Sequence, residues 1–149
     1  MAMMVTMAGF SQARVKAIGL NAGTADAKAA SAANNLVGVW HGEYRVLPWV
    51  TVTLTQDGGA LSGAILFYLH RKMPGTVETA TAGTPEPLLD PEFDGKTLTF
   101  QVSARHADPP RTLNDPPIVM TMEIIDQNHA RLMNREDPHL TGLLIRMWR

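Results

Sequence analysis

The chain contains no cysteine. Disulfides, thiol nucleophiles and thiolate metal sites are therefore excluded. Charge is also scarce: Asp, Glu, Lys and Arg make up 18% of the 149 residues, and the formal net charge is −1. A balance so close to neutral argues against a dedicated nucleic-acid surface or a polybasic membrane patch. No apolar run approaches the roughly 20 residues that a membrane-spanning helix needs. Phosphate-cradling loops are missing, as are Gly-X-Ser-X-Gly elbows. The five histidines, His41, His70, His106, His129 and His139, show neither His-X-His nor His-Glu-X-X-His spacing. The residues thus imply no metal and no cofactor.

What is present is 45% apolar residues in a chain long enough to bury a core without covalent staples. Composition shifts near Asn34. The first 33 residues read as a leader or arm, and residues 34–149 as the folded domain. The opening "MAMMVTMAGFSQA" carries a short apolar run, Ala2 to Phe10, and then Ser11-Gln12-Ala13. That pattern is similar to a signal h-region with a small-X-small cleavage site, although it lacks a basic flank. It favours a periplasmic or secreted location over a cytoplasmic one, while a helix docked on the domain stays open as the other reading. Residues 24–33 form a candidate helix with Thr24 as its cap, and a flexible linker is the alternative.

From Leu36 the hydrophobic period is two. "LVGVWHGEYR" places Leu36, Gly38, Trp40, Gly42 and Tyr44 on one face, with His41 pointing away from Trp40. "WVTVTLTQ" alternates Val50, Val52 and Leu54 against three threonines. Asp57-Gly58-Gly59 signals a hairpin turn before "ALSGAILFYL". Residues 70–87 hold three prolines and two glycines, so most of that stretch is expected to be irregular, with an edge strand possible over Thr76 to Thr81. Further strands follow in "PLLDPEF", "KTLTFQVSA", "IVMTMEII", "HARLMNRE" and "LLIRMWR". Seven or eight strands joined mainly by short turns, without a long helix between them, predict an all-β antiparallel up-and-down barrel of about eight strands. A two-sheet sandwich is the runner-up.

The lead-in Asn35-Leu36-Val37-Gly38-Val39-Trp40 resembles the lipocalins and the wider calycin group. The resemblance extends in pattern from Asn34 to Arg149. It implies a tryptophan, Trp40, lying across the closed end of the barrel. It also implies an arginine from the last strand, Arg146 or else Arg149, packed over the indole, and a glycine, Gly38, that lets the first strand bend. The Thr-Asp-Tyr motif of many lipocalins is absent, as is a cysteine pair, so the resemblance is to an outlying bacterial lipocalin-like domain.

Such a barrel is expected to bind a hydrophobic or amphipathic small molecule. The period places Val52, Leu54, Ile65, Phe67, Leu98, Phe100, Met120 and Met122 on its wall. Tyr44, Tyr68, His70, Arg71 and His106 are candidates for the mouth. Met120 and Met122 would suit a cavity tolerant of ligand shape. One alternative is an enzyme using His70, His106 or His139 with Asp108 or Glu136 for proton transfer at the mouth. The other is an assembly module, with the N-terminal arm or a sheet edge contacting other chains.

Overall fold

The computed structural model describes residues 35–107 and 109–148, with the side chain of Trp148 left aside. The 1–33 leader, Asp108 and Arg149 lie outside the described residues. Ten strands occur: β1 Gly38–Tyr44, β2 Leu47–Asp57, β3 Ala60–Arg71, β4 Thr79–Ala82, β5 Glu86–Pro87, β6 Leu89–Phe93, β7 Thr97–Val102, β8 Ile118–Ile124, β9 His129–Asn134 and β10 Thr141–Trp148. No helix occurs among the described residues. All pairings are antiparallel, and the strands form one curled sheet, a half-barrel, in the order β4-β3-β2-β1-β10-β9-β8-β7-β6.

The two flanks of this sheet meet through one short piece of chain. Pro87 and Glu86 pair with Ala64 and Ile65 of β3, and the Leu88 N–H donates to the Gly63 carbonyl at 3.0 Å. From the next residue the same segment pairs with β7, from Leu89↔Gln101 to Phe93↔Leu98. The strand count exceeds the expected eight for two local reasons. The proline-rich stretch 70–87 still contributes two short strands, because β4 and β5 each pair along β3 alone. Leu88 then breaks what would otherwise run as one strand from Glu86 to Phe93. The edge strand expected at Thr76 to Thr81 forms at Thr79–Ala82.

Where the period-two pattern is clean, burial follows it. Val50, Val52 and Leu54 are 0–1% exposed, and so are Leu98, Phe100 and Val102 of β7. The pleat puts alternate side chains on opposite faces, so threonines take the outer face of β2. The β2–β3 turn is a two-residue loop in which both Gly58 and Gly59 have positive φ, 54° and 88°. Such a loop matches the right-handed twist of the flanking strands.

Trp40 anchors one end of the interior. Its side chain is 0% exposed, and its indole N–H donates to the Leu36 carbonyl at 2.9 Å. The Arg146 guanidinium lies over the ring, 4.3 Å from the centroid, and also donates to the Asn35 carbonyl. Cation–π attraction and stacking on the apolar ring both favour this placement. The same end carries the 58–59, 94–96 and 125–128 turns. The opposite end, called the mouth below, carries the 45–46 turn, the 103–117 and 135–140 loops, and the exit of β3.

The 45–46 turn is built without glycine. Arg45 and Val46 hold φ of 50° and 65°, a left-handed conformation that costs a β-branched residue about 1–2 kcal/mol. Replacing the pair by Asn-Gly should therefore raise stability by about 1 kcal/mol, measured by urea unfolding. In contrast, Trp40→Ala should lower it by about 3–5 kcal/mol, because a fully buried indole leaves a cavity behind. A loss below about 1 kcal/mol for Trp40→Ala would contradict the anchoring role.

Candidate functional site

The candidate wall residues divide into two groups. Val52, Leu54, Ile65, Leu98, Phe100 and Met122 belong to the buried core with Trp40, Leu132 and Leu144, each 0–1% exposed. Cross-strand pairs stack them in register: Leu98↔Met122↔Leu132 across β7, β8 and β9, and Trp40↔Val52↔Ile65 across β1, β2 and β3. None of these six borders the void at the mouth. That void is a cavity of about 330 Å³, and of the wall candidates only Phe67 and Met120 line it. The interior is thus packed solid around Trp40 and open at the other end, while a second hollow of about 300 Å³, bordered by Leu36, Phe93, Gly95, Ile124 and Arg146, lies among the turns of the Trp40 end.

Of the expected mouth residues, Tyr68 and His106 line the cavity. Tyr44, His70 and Arg71 sit at the same end but outside the lining. Tyr44 is half exposed and meets the His70 ring edge-on, with centroids 6.0 Å apart. His70 bridges strands: Nε2–H donates to the Pro48 carbonyl at 2.9 Å, and Nδ1 faces Glu78 at 3.4 Å. His41 lies on the outer face, bonded to the Thr51 hydroxyl and edge-on to Tyr68.

The rest of the lining is Trp49, Leu69, Gly83, Thr84, Glu86, Val102, Ala104, Ala107, Ile118, Asn134 and Leu140. Trp49 escaped the period-two reading because of a bulge. Gly42 pairs with Val50, but the next residue, Glu43, pairs with Pro48, so Trp49 is an extra residue in β2. A bulge re-aims the side chain it carries. The Trp49 ring comes down on Gly142 of β10, where even a Cβ would collide with it. Gly142 is thus the seat of the indole. Asn134 was not singled out, although Ala130, Leu132 and Asn134 keep one parity along β9, and all three are buried. Its side-chain carbonyl accepts the Glu136 N–H at 2.8 Å and holds the start of the 135–140 loop.

Glu86 carries the electrostatics of the site. It stands between two prolines in a stretch that reads as loop, and nothing in that pattern marks it as buried. Yet it is 6% exposed. Its Oε2 accepts the Ser103 hydroxyl and the Ala104 N–H, both at 2.7 Å, and its Oε1 accepts the His106 N–H at 3.1 Å. Burial works to raise the carboxyl pKa. The bonds from Ser103, His106 and Ala104, with the charge His106 can carry, outweigh burial, and the net shift is downward. The same bonds hold the turn at Ala104, whose φ is 51°. Beyond that turn, Arg111 ties the two mouth loops together, donating to Glu136 at 2.5 Å and to the Pro116 carbonyl at 2.7 Å.

The acid–base alternative required a histidine beside Asp108 or Glu136. Glu136 is engaged by Arg111, His139 offers its main-chain N–H to Asp137, and His106 meets Glu86 through its main chain. Among the described residues, no group of three or more His, Asp or Glu side chains is arranged to hold a metal ion. No helix there is long and apolar enough to cross a membrane. Compared with protein-family models, curated proteins and solved structures, the chain matches none of them.

A carboxylate with a lowered folded-state pKa stabilises the fold above its unfolded value, about 4.3. That contribution is lost as pH falls through the lower folded value. Wild type should therefore exceed Glu86→Gln in stability at pH 7. The gap should narrow steadily below about pH 4.5 in a series of urea melts. A gap that stays constant down to pH 2.5 would mean that the ionised carboxylate is not what holds the 103–106 turn.

Proposed function

We propose that this protein is a lipocalin-like half-barrel that binds a small hydrophobic or amphipathic molecule at its mouth. The observation that carries the reading is the cavity of about 330 Å³, lined by Trp49, Phe67, Val102, Ile118 and Met120 and opposite the end filled by Trp40. Its size is at the small end of ligand pockets, and an apolar wall with a few convergent polar groups is their usual character. The Trp40–Arg146 pair agrees with the lipocalin resemblance of the lead-in. The filled lower interior narrows the site to the upper half of the wall, so Leu54, Leu98, Phe100 and Met122 support the cavity from below rather than touch a ligand. Leu143, Ile145 and Met147, exposed in a row along β10, do not line the cavity and play no part in this site.

Affinity for such a cavity comes mainly from apolar burial, about 0.8 kcal/mol for each added methylene until the space is full. Graded straight-chain alcohols titrated into the protein should bind with affinity that rises and then levels. Ile118→Trp, which fills the mouth, should abolish that binding and cost less than about 1 kcal/mol of stability. Phe100→Trp forces volume into packed core and should cost about 1–3 kcal/mol. Calorimetry and unfolding of the two variants check the pair. No saturable binding by wild type, or undiminished binding by Ile118→Trp, would overturn the reading.

A further inference from the structure

Resting on the reading of the mouth as a binding cavity, we propose that it selects small molecules with an apolar body and a cationic amine head, the head being received by Glu86. Three observations carry this. Glu86 lines the cavity and is itself buried, at 6% exposure. A full negative charge on a mainly apolar wall acts through a medium of lower dielectric than water, so it discriminates by the sign of a guest's charge. Among the described residues the lining contains no lysine or arginine to cancel it, and His106, at the exposed rim, is the one lining residue there able to carry positive charge. Finally, an ionised carboxylate offers about four acceptor positions. The described donors, Ser103 Oγ, Ala104 N and His106 N, use three. One position on Oε1 is left for an N–H donor.

This refines the expected ligand in a definite direction. A fatty acid would bring a second carboxylate against Glu86, whereas a primary ammonium would bring both the missing charge and the missing donor. The apolar body would rest on Phe67, Val102, Ile118 and Met120. The same bonds that hold the 103–106 turn keep Glu86 fixed before a guest arrives, so little ordering is left for binding to accomplish.

The test uses three probes with one shared body: 2-phenylethylammonium, 2-phenylethanol and 3-phenylpropanoate. They are titrated calorimetrically into the whole chain at pH 8, where histidine contributes least positive charge. The expected order is ammonium, then alcohol, then carboxylate, with about tenfold or more between the first and the last, equivalent to about 1.4 kcal/mol. In folded Glu86→Gln the ammonium should lose its advantage over the alcohol. Should that variant fail to fold, the wild-type amide NMR signals of Ala104 and His106 decide. Both N–H groups donate to Glu86, so they should move on adding the ammonium and hardly at all with the alcohol. Carboxylate binding as tightly as ammonium would overturn the proposal and leave the binding function standing. So would an ammonium preference that survives in Glu86→Gln, or equal amide shifts with ammonium and alcohol. Binding by none of the three would overturn both.

Discussion

The indole of Trp40 sets the shape of the interior. A curled sheet of this size encloses a limited volume, and one fully buried tryptophan with Arg146 stacked over it fills the end at which β1 begins. Phe100, Leu98, Met122, Leu132 and Leu144 then pack on that plug. Close packing leaves these side chains no room for a guest among them, and the hollow of about 300 Å³ at this end is bordered instead by Leu36, Phe93, Ile124 and Arg146 beside the turns. The cavity walled by Trp49, Phe67, Ile118 and Met120 lies at the far end, where strands leave the core and loops take over. The contrast between a solid base and an open mouth is thus a consequence of where one large side chain sits, and it places the cavity beside the loops.

At that mouth the chain trades regularity for positioning. A bulge turns Trp49 onto Gly142. Arg45, Val46 and Ala104 accept left-handed backbone. A buried carboxylate stitches the 103–106 turn to the bridging segment between β3 and β7. Strain of this kind gathers where surrounding structure enforces it, often at sites of function. Each device also lies next to a loop, the part of a β scaffold that varies most freely without disturbing the core.

The fold was legible wherever a period of two ran unbroken. The alternation in "WVTVTLTQ" and "KTLTFQVSA" predicts the buried faces of β2 and β7, and the Gly-X-Trp lead-in led to Trp40 with a last-strand arginine over it. The site was only partly legible. Phe67, Met120, Tyr68 and His106 were singled out and do border the cavity. Periodicity reports which face a side chain takes, and it is silent on how far up the wall it stands, so Leu54 and Phe100 look equivalent to Phe67. Trp49 was hidden because a bulge shifts parity by one residue. Glu86 was hidden because its partners are 17 or more residues away in sequence, and a lone glutamate between prolines looks like loop.

The central claim is that the core around Trp40 is solid and the mouth is open, and the tryptophans report on it directly. With indole N–H signals assigned by Trp→Phe substitution, naphthalene would be titrated into the protein and followed by NMR. The account predicts a saturable shift of the Trp49 indole, while the Trp40 indole, bonded to Leu36 and walled in by core, stays in place. A Trp40 signal that moves with the probe while Trp49 does not would put the void at the base and contradict the account.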